Sequence, residues 1–78
     1  MANRHMFSLD VIDTEPFIDM PSSARLLYYD LCVRADRRGF TNCPRAIARA
    51  TGASPCDLEL LIAKGFAQQE ENGLRMRW

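Results

Sequence analysis

The side chains of this chain best placed to do chemistry are arginines that recur in pairs. Arg45 and Arg49 stand four positions apart, which puts two side chains on one face of a helix, where they suit two neighbouring phosphates. The competing reading of that pair is an ordinary solvated face. Arg75 and Arg77 stand two apart, the spacing that puts both on one face of a strand. Arg37 and Arg38 adjoin ahead of Gly39, and Lys64 is the single lysine. No enzyme is expected, because the only histidine is His5 and no Ser-His-Asp set or Gly-rich phosphate loop occurs. Zinc would need four ligands at close spacing. His5, Cys32, Cys43 and Cys56 include no C-x-x-C and lie ten or more residues apart, so neither a metal nor another cofactor is expected.

Total charge argues against a strong grip on nucleic acid, since ten basic and ten acidic side chains cancel. The charges are nevertheless segregated. Residues 10–30 hold Asp10, Asp13, Glu15, Asp19 and Asp30 against Arg25 alone, whereas residues 34–49 hold Arg34, Arg37, Arg38, Arg45 and Arg49 against Asp36. A domain charged in blocks presents a cationic patch although its sum is zero. At 78 residues there is room for one domain and one core. No apolar run approaches the ~20 residues of a membrane span, and the first residues lack the apolar segment of a signal peptide. With three cysteines, an odd number, reduced thiols and a cytoplasmic location are the expectation.

The elements that must position these arginines are legible from their punctuation. Asn42 or Cys43 can cap a helix that Pro44 opens, because proline at the first helical position gives up only an unpartnered N–H. That helix, Arg45 to about Thr51, stops at Gly52. Ser54 and Pro55 repeat the start signal, and a second helix runs to about Lys64 before Gly65. Phe66 to Glu70 and Leu74 to Trp78 read as strands joined at Asn72-Gly73, a strong hairpin signal. In that register Glu70 faces Arg75 and Gln68 faces Arg77, leaving Arg77 the freer cation; a bulged loop would change the pairings.

Upstream, residues 1–21 read as an arm. Phe7, Leu9 and Val11 alternate as in a short extended piece, and Thr14 caps a one-turn helix holding Glu15 and Pro16. Residues 22–36 are the central helix, about Ser23 to Ala35, capped by a serine. One stripe is Ala24, Leu27, Tyr28, Leu31 and Ala35; a second, nearly opposite, is Leu26, Tyr29 and Val33. A helix apolar on two sides is covered on two sides. The second stripe meets the arm (Phe7, Val11, Ile12, Phe17, Ile18), another subunit, or both. Cys32 reads as a small hydrophobe at the helix edge. Phe40-Thr41 adds a third strand. The expected fold is α+β and mainly helical: a winged helix-turn-helix over residues 42–64, with a two-stranded wing at 66–78 and an N-terminal arm.

The ordered set Met6-Phe7-Ser8, Phe17-Ile18-Asp19-Met20-Pro21, Leu27-Tyr28, Ala35-Asp36, Gly39-Phe40, Gly52-Ala53-Ser54, Asp57-Leu58, Leu61-Ile62-Ala63-Lys64-Gly65-Phe66 and Trp78 resembles the N-terminal domain of phage replisome organisers and their DnaD-like primosome relatives. The resemblance covers about residues 6 to 78, and no single piece of it is diagnostic. It implies a winged helix that helps start DNA replication by binding origin DNA, associating with itself and helping to load a helicase. It also implies that these residues are the N-terminal part of a longer protein.

In a helix-turn-helix the second helix normally reads base edges. Here its inward residues are Leu58, Leu61 and Ile62, and outward stand Cys56, Leu60 and Ala63 flanked by Asp57, Glu59 and Lys64. It has no Arg, Asn or Gln, and its carboxylates repel phosphates, so a structural helix is the better reading. Asp57 can instead serve the helix N-terminus. In the preceding helix Ala46, Ile47 and Ala50 are expected to turn inward. Two functional readings remain. One is weak, non-specific binding of double-stranded DNA through Arg45, Arg49, Arg75, Arg77, Arg37, Arg38 and Lys64. The other is a self-association or protein-docking module using Leu26, Tyr29 and Val33, or Leu60. A transcription regulator shares the fold but lacks the base-reading side chains.

Overall fold

The computed structural model describes residues 8–77; His5, Phe7 and Trp78 lie outside them, with the expectations placed on those residues. Two single-turn helices, α1 (Leu9–Ile12) and α2 (Glu15–Ile18), lead into α3 (Ser22–Val33). Strand β1 (Phe40–Asn42), helices α4 (Pro44–Thr51) and α5 (Pro55–Ala63), and strands β2 (Ala67–Glu70) and β3 (Gly73–Met76) follow. The sheet is antiparallel in the order β1-β3-β2. Three helices with a three-stranded sheet whose last two strands form a hairpin are a winged helix-turn-helix.

The arm departs from the expected extended piece. Ser8 accepts a hydrogen bond from the Asp10 amide at 3.1 Å and so caps a helical turn, with Asp10 in its first turn. Residues two apart point to opposite sides of a helix, so Val11 is buried while Leu9 is 66% exposed. A strand would have turned both the same way. Thr14 precedes α2 as expected, but its hydroxyl donates to the Val11 carbonyl at 2.8 Å and ties the two turns together.

Central helix α3 begins at Ser22 behind Pro21, one residue early and without a serine cap, and ends at Val33, before Ala35. Its first stripe is buried as expected. Cys32 is wholly buried beside that stripe and not at an edge. The second stripe divides. Phe17 of the arm meets Tyr29 edge-on with ring centres 5.9 Å apart, whereas Leu26 and Val33 are 56% and 52% exposed. Ile18 is also half exposed, so the arm covers this side through Phe17 alone among the residues expected to do so from α2.

Phe17 also packs edge-on against Tyr28 and Phe66, with ring centres at 5.1 and 5.3 Å. Such arrangements set the positive rim of one ring against the negative face of another. The Tyr28 hydroxyl donates to the Arg77 carbonyl, and Thr41, itself buried, donates to the Leu31 carbonyl at 3.0 Å. These two bonds fasten α3 to edge strand β1 and to the residue that follows central strand β3.

Candidate nucleic-acid interface

Helices α4 and α5 are cut to length by their ends. Cys43 precedes Pro44 in the left-handed region at φ 53°, so it is the N-cap residue without a side-chain cap. At the other end Gly52, at φ 82°, donates to Arg49 and Ala53 donates to Ala48, the paired bonds of a Schellman ending. Lacking a Cβ, glycine holds that conformation without steric cost. Ser54 and Asp57 then form a reciprocal capping box. The Asp57 amide donates to Ser54 Oγ at 3.3 Å, and the Ser54 amide to Asp57 Oδ2 at 3.1 Å.

Asp57 is therefore buried in the cap and is not an outward carboxylate. The other acid, Glu59, stays outside and stands 4.0 Å from Arg45 across the helix pair. Both groups are more than three-fifths exposed, so the pair adds little stability, but it lowers the local positive potential. Leu58 and Leu61 are buried and Ile62 half-buried, as expected. Leu60 is half-buried as well, leaving Cys56, Glu59, Ala63 and Lys64 on the outer side of α5. That side holds no Arg, Asn or Gln with which to read a base edge.

On α4 the inward face is rotated from the expected one. Ala48 is buried and Ile47 half-buried, while Ala46 and Ala50 are exposed. The inward set, Ile47, Ala48 and Thr51, is the expected set moved by one position, a rotation of about 100°. Arg45 and Arg49 nevertheless share one exposed side. Between them and the α4–α5 turn lies a depression of about 150 Å³ walled by Ala48, Ala53, Pro55 and Leu58. Nothing in the spacing of Ala53 or Pro55 marks them for it. Only the turn brings them opposite α4.

The hairpin loop lies one residue earlier than expected, which moves each cross-strand partner by two. Glu70 pairs with Gly73, so the loop is Glu71-Asn72 and Gln68 faces Arg75. Gly73 is needed inside the strand because a Cβ there would lie 2.2 Å from the Thr41 carbonyl oxygen of β1. Close approach of the third strand, not the turn, claims this glycine. Glu70 still reaches Arg75 along the diagonal, with Nε–Oε2 at 3.0 Å and Nη2–Oε1 at 3.1 Å. The remaining Arg75 nitrogen, Nη1, donates to the Arg38 carbonyl at 2.9 Å, and the guanidinium lies 5.8 Å from the Phe40 ring centre. Arg75 is thus a structural clasp. Its hydrogen bonds hold the Glu70 carboxyl below the usual carboxylate range.

The cationic residues expected to meet DNA fall into two groups. The Arg75–Arg38 bond, the Met76 amide on the Gly39 carbonyl and the Arg77 amide on the Phe66 carbonyl gather Arg37, Arg38, Arg75, Arg77 and Lys64 at the root of the hairpin. Its tip, by contrast, carries Glu70, Glu71 and Asn72. Arg45 and Arg49 form the second group on α4. Among the described residues, the side chains of Arg37, Arg38, Arg49, Arg77 and Lys64 make no ion pair or hydrogen bond. Nor does any group of three or more His, Cys, Asp or Glu suited to a metal occur there. No helix of the described residues is long and apolar enough to cross a membrane.

Set beside known proteins, the chain matches no family model, no curated protein and no solved structure.

Proposed function

We propose that this domain is a DNA-replication initiation module of the replisome-organiser kind. It binds duplex DNA weakly and without sequence preference, and acts in the cytoplasm beside a helicase or its loader with no catalytic role and no cofactor. The carrying observation is the pairing of Arg45 with Arg49 on the exposed side of the first helix of the helix-turn-helix, next to a second helix that has no Arg, Asn or Gln. Phosphate contacts of this kind place a protein on the duplex and carry no sequence information. Arg77, Arg37, Arg38 and Lys64 extend the cationic surface at the hairpin root, whereas Arg75 is committed to Glu70. Each phosphate contact contributes about 0.9 to the slope of log K against log salt. Replacing Arg45 and Arg49 by alanine is expected to lower that slope by roughly 1.8 if both touch phosphate. An unchanged slope and affinity on unrelated duplexes would rule the assignment out.

The second reading, self-association or docking, is favoured by Leu26 and Val33, which stay more than half exposed on one side of α3 beside the half-buried Tyr29. Aromatic and aliphatic side chains grouped in this way suit the centre of an interface. Leu60 is half-buried and offers less surface to such a contact.

A further inference from the structure

The depression beside α4 has more in it than a phosphate uses. Two guanidiniums suffice for phosphate, but Ala48, Ala53, Pro55 and Leu58 wall about 150 Å³ of empty apolar space between them and the turn. An apolar cavity of about that volume accepts a benzene-sized group. The ligand that uses both features is one aliphatic side chain with carboxylates beside it.

Helix α1 carries that chemistry. Leu9 on α1 is 66% exposed, more than any other large hydrophobic residue described; Asp10 adjoins it and Asp13 follows one helical turn later, all outward. No lysine or arginine occurs from Ser8 to Met20. Leu9 is not among the residues that wall its own copy's depression, which leaves that depression open to the Leu9 of a second copy. We infer that Leu9, Asp10 and Asp13 of one copy dock in the Arg45–Arg49 depression of a second copy. Leu9 fills the apolar space and the carboxylates face the guanidiniums. Zero net charge removes the general repulsion that would oppose this approach. Since Glu59 already draws on Arg45, Arg49 is the principal carboxylate partner.

Such a contact is heterologous: each copy uses one surface to give and a different one to receive, so copies join head to tail. It is separate from the Leu26–Val33 side and does not depend on DNA binding. It does occupy Arg45 and Arg49, so duplex DNA and a neighbouring copy compete for them.

Sedimentation velocity in low salt tests it, with protein raised to about 1 mM so that even a millimolar contact is half populated. Two variants ablate one surface each: Leu9→Ser with Asp13→Asn, and Arg45→Ala with Arg49→Ala. All four residues are exposed, and circular dichroism verifies the fold of each variant. The wild type is expected to grow with concentration, and at about 1 M salt, where the screening length falls to about 3 Å, to lose the part of this growth that charge contacts carry. Each variant alone is expected to lose it, and their equimolar mixture to form a 1:1 complex that grows no further. A monomeric wild type, variants that associate like the wild type, or a mixture that stays monomeric would overturn the inference. Loss of DNA binding is confined to the arginine variant, so the two readings fail separately.

Discussion

Arg75 engages all three of its guanidinium nitrogens within its own fold, and the acids around it register this. The Glu70 carboxyl is held low by the Arg75 hydrogen bonds; that of Asp36 is held low by the amides of Phe40 and Arg38, at 3.0 and 2.8 Å. A carboxylate with a lower pKa folded than unfolded stabilises the fold above its unfolded pKa, and that contribution disappears as pH falls through the folded value. Thermal stability is therefore expected to decline from about pH 5 toward about pH 2. In Glu70→Gln the decline should be shallower, and a melting profile with undiminished acid dependence would refute the role given to Glu70. The three cysteines separate on similar grounds. Burial pushes the Cys32 thiol up to about 12, a shift its contact with Tyr28 partly offsets, while Cys43 and Cys56 are exposed. Since the thiolate is the nucleophile, a chromogenic disulfide reagent at neutral pH is expected to titrate two thiols in the folded protein and three in denaturant. A third thiol reacting as fast as the other two would show that Cys32 is open to solvent.

Among the elements, the helix ends were legible because their signals are local. Pro44, Gly52, the Ser54–Asp57 box and Gly65 each act within a few residues, and each begins or ends a helix where the sequence placed it. The hairpin was misread for the opposite reason. Asn72-Gly73 is a strong turn signal, but the Thr41 carbonyl, more than thirty residues away in sequence, requires a residue without a side chain at position 73. Gly73→Ala is expected to cost about 2 kcal/mol by overpacking, a fall in melting temperature of roughly 8–16 °C at 4–8 °C per kcal/mol. A melting temperature within a degree or two of the wild type would mean that β1 yields readily. The arm was misread because three alternating apolar residues fit a strand and a helical turn about equally well, and the Ser8 cap decides between them.

Seen whole, the molecule is a dipolar domain whose cations sit on α4 and at the hairpin root, while the hairpin tip and the arm are acidic. Duplex DNA is therefore expected to meet α4 and the root, not the tip. The apolar side of α3 is a separate matter. Leu26→Asp with Val33→Asp puts charge on two positions already half in solvent, so the melting temperature should hold. Self-association that persists in high salt, where charge contacts are screened, should vanish in this variant. Unchanged sedimentation under those conditions would remove the α3 side as an interface.

From the order of its residues alone, this chain settled its fold class, the limits of α4 and α5 and the buried stripe of α3. Caps and periodicity act over a turn or two and need no distant partner. Tertiary structure alone decided that Ala48 and not Ala46 or Ala50 faces inward and that Glu59 stands beside Arg45. It also decided that Arg75 serves the fold and that a depression opens between the arginines of α4. Each of these depends on what a neighbouring element brings within a few ångströms, and chain folding, not local sequence, sets that distance.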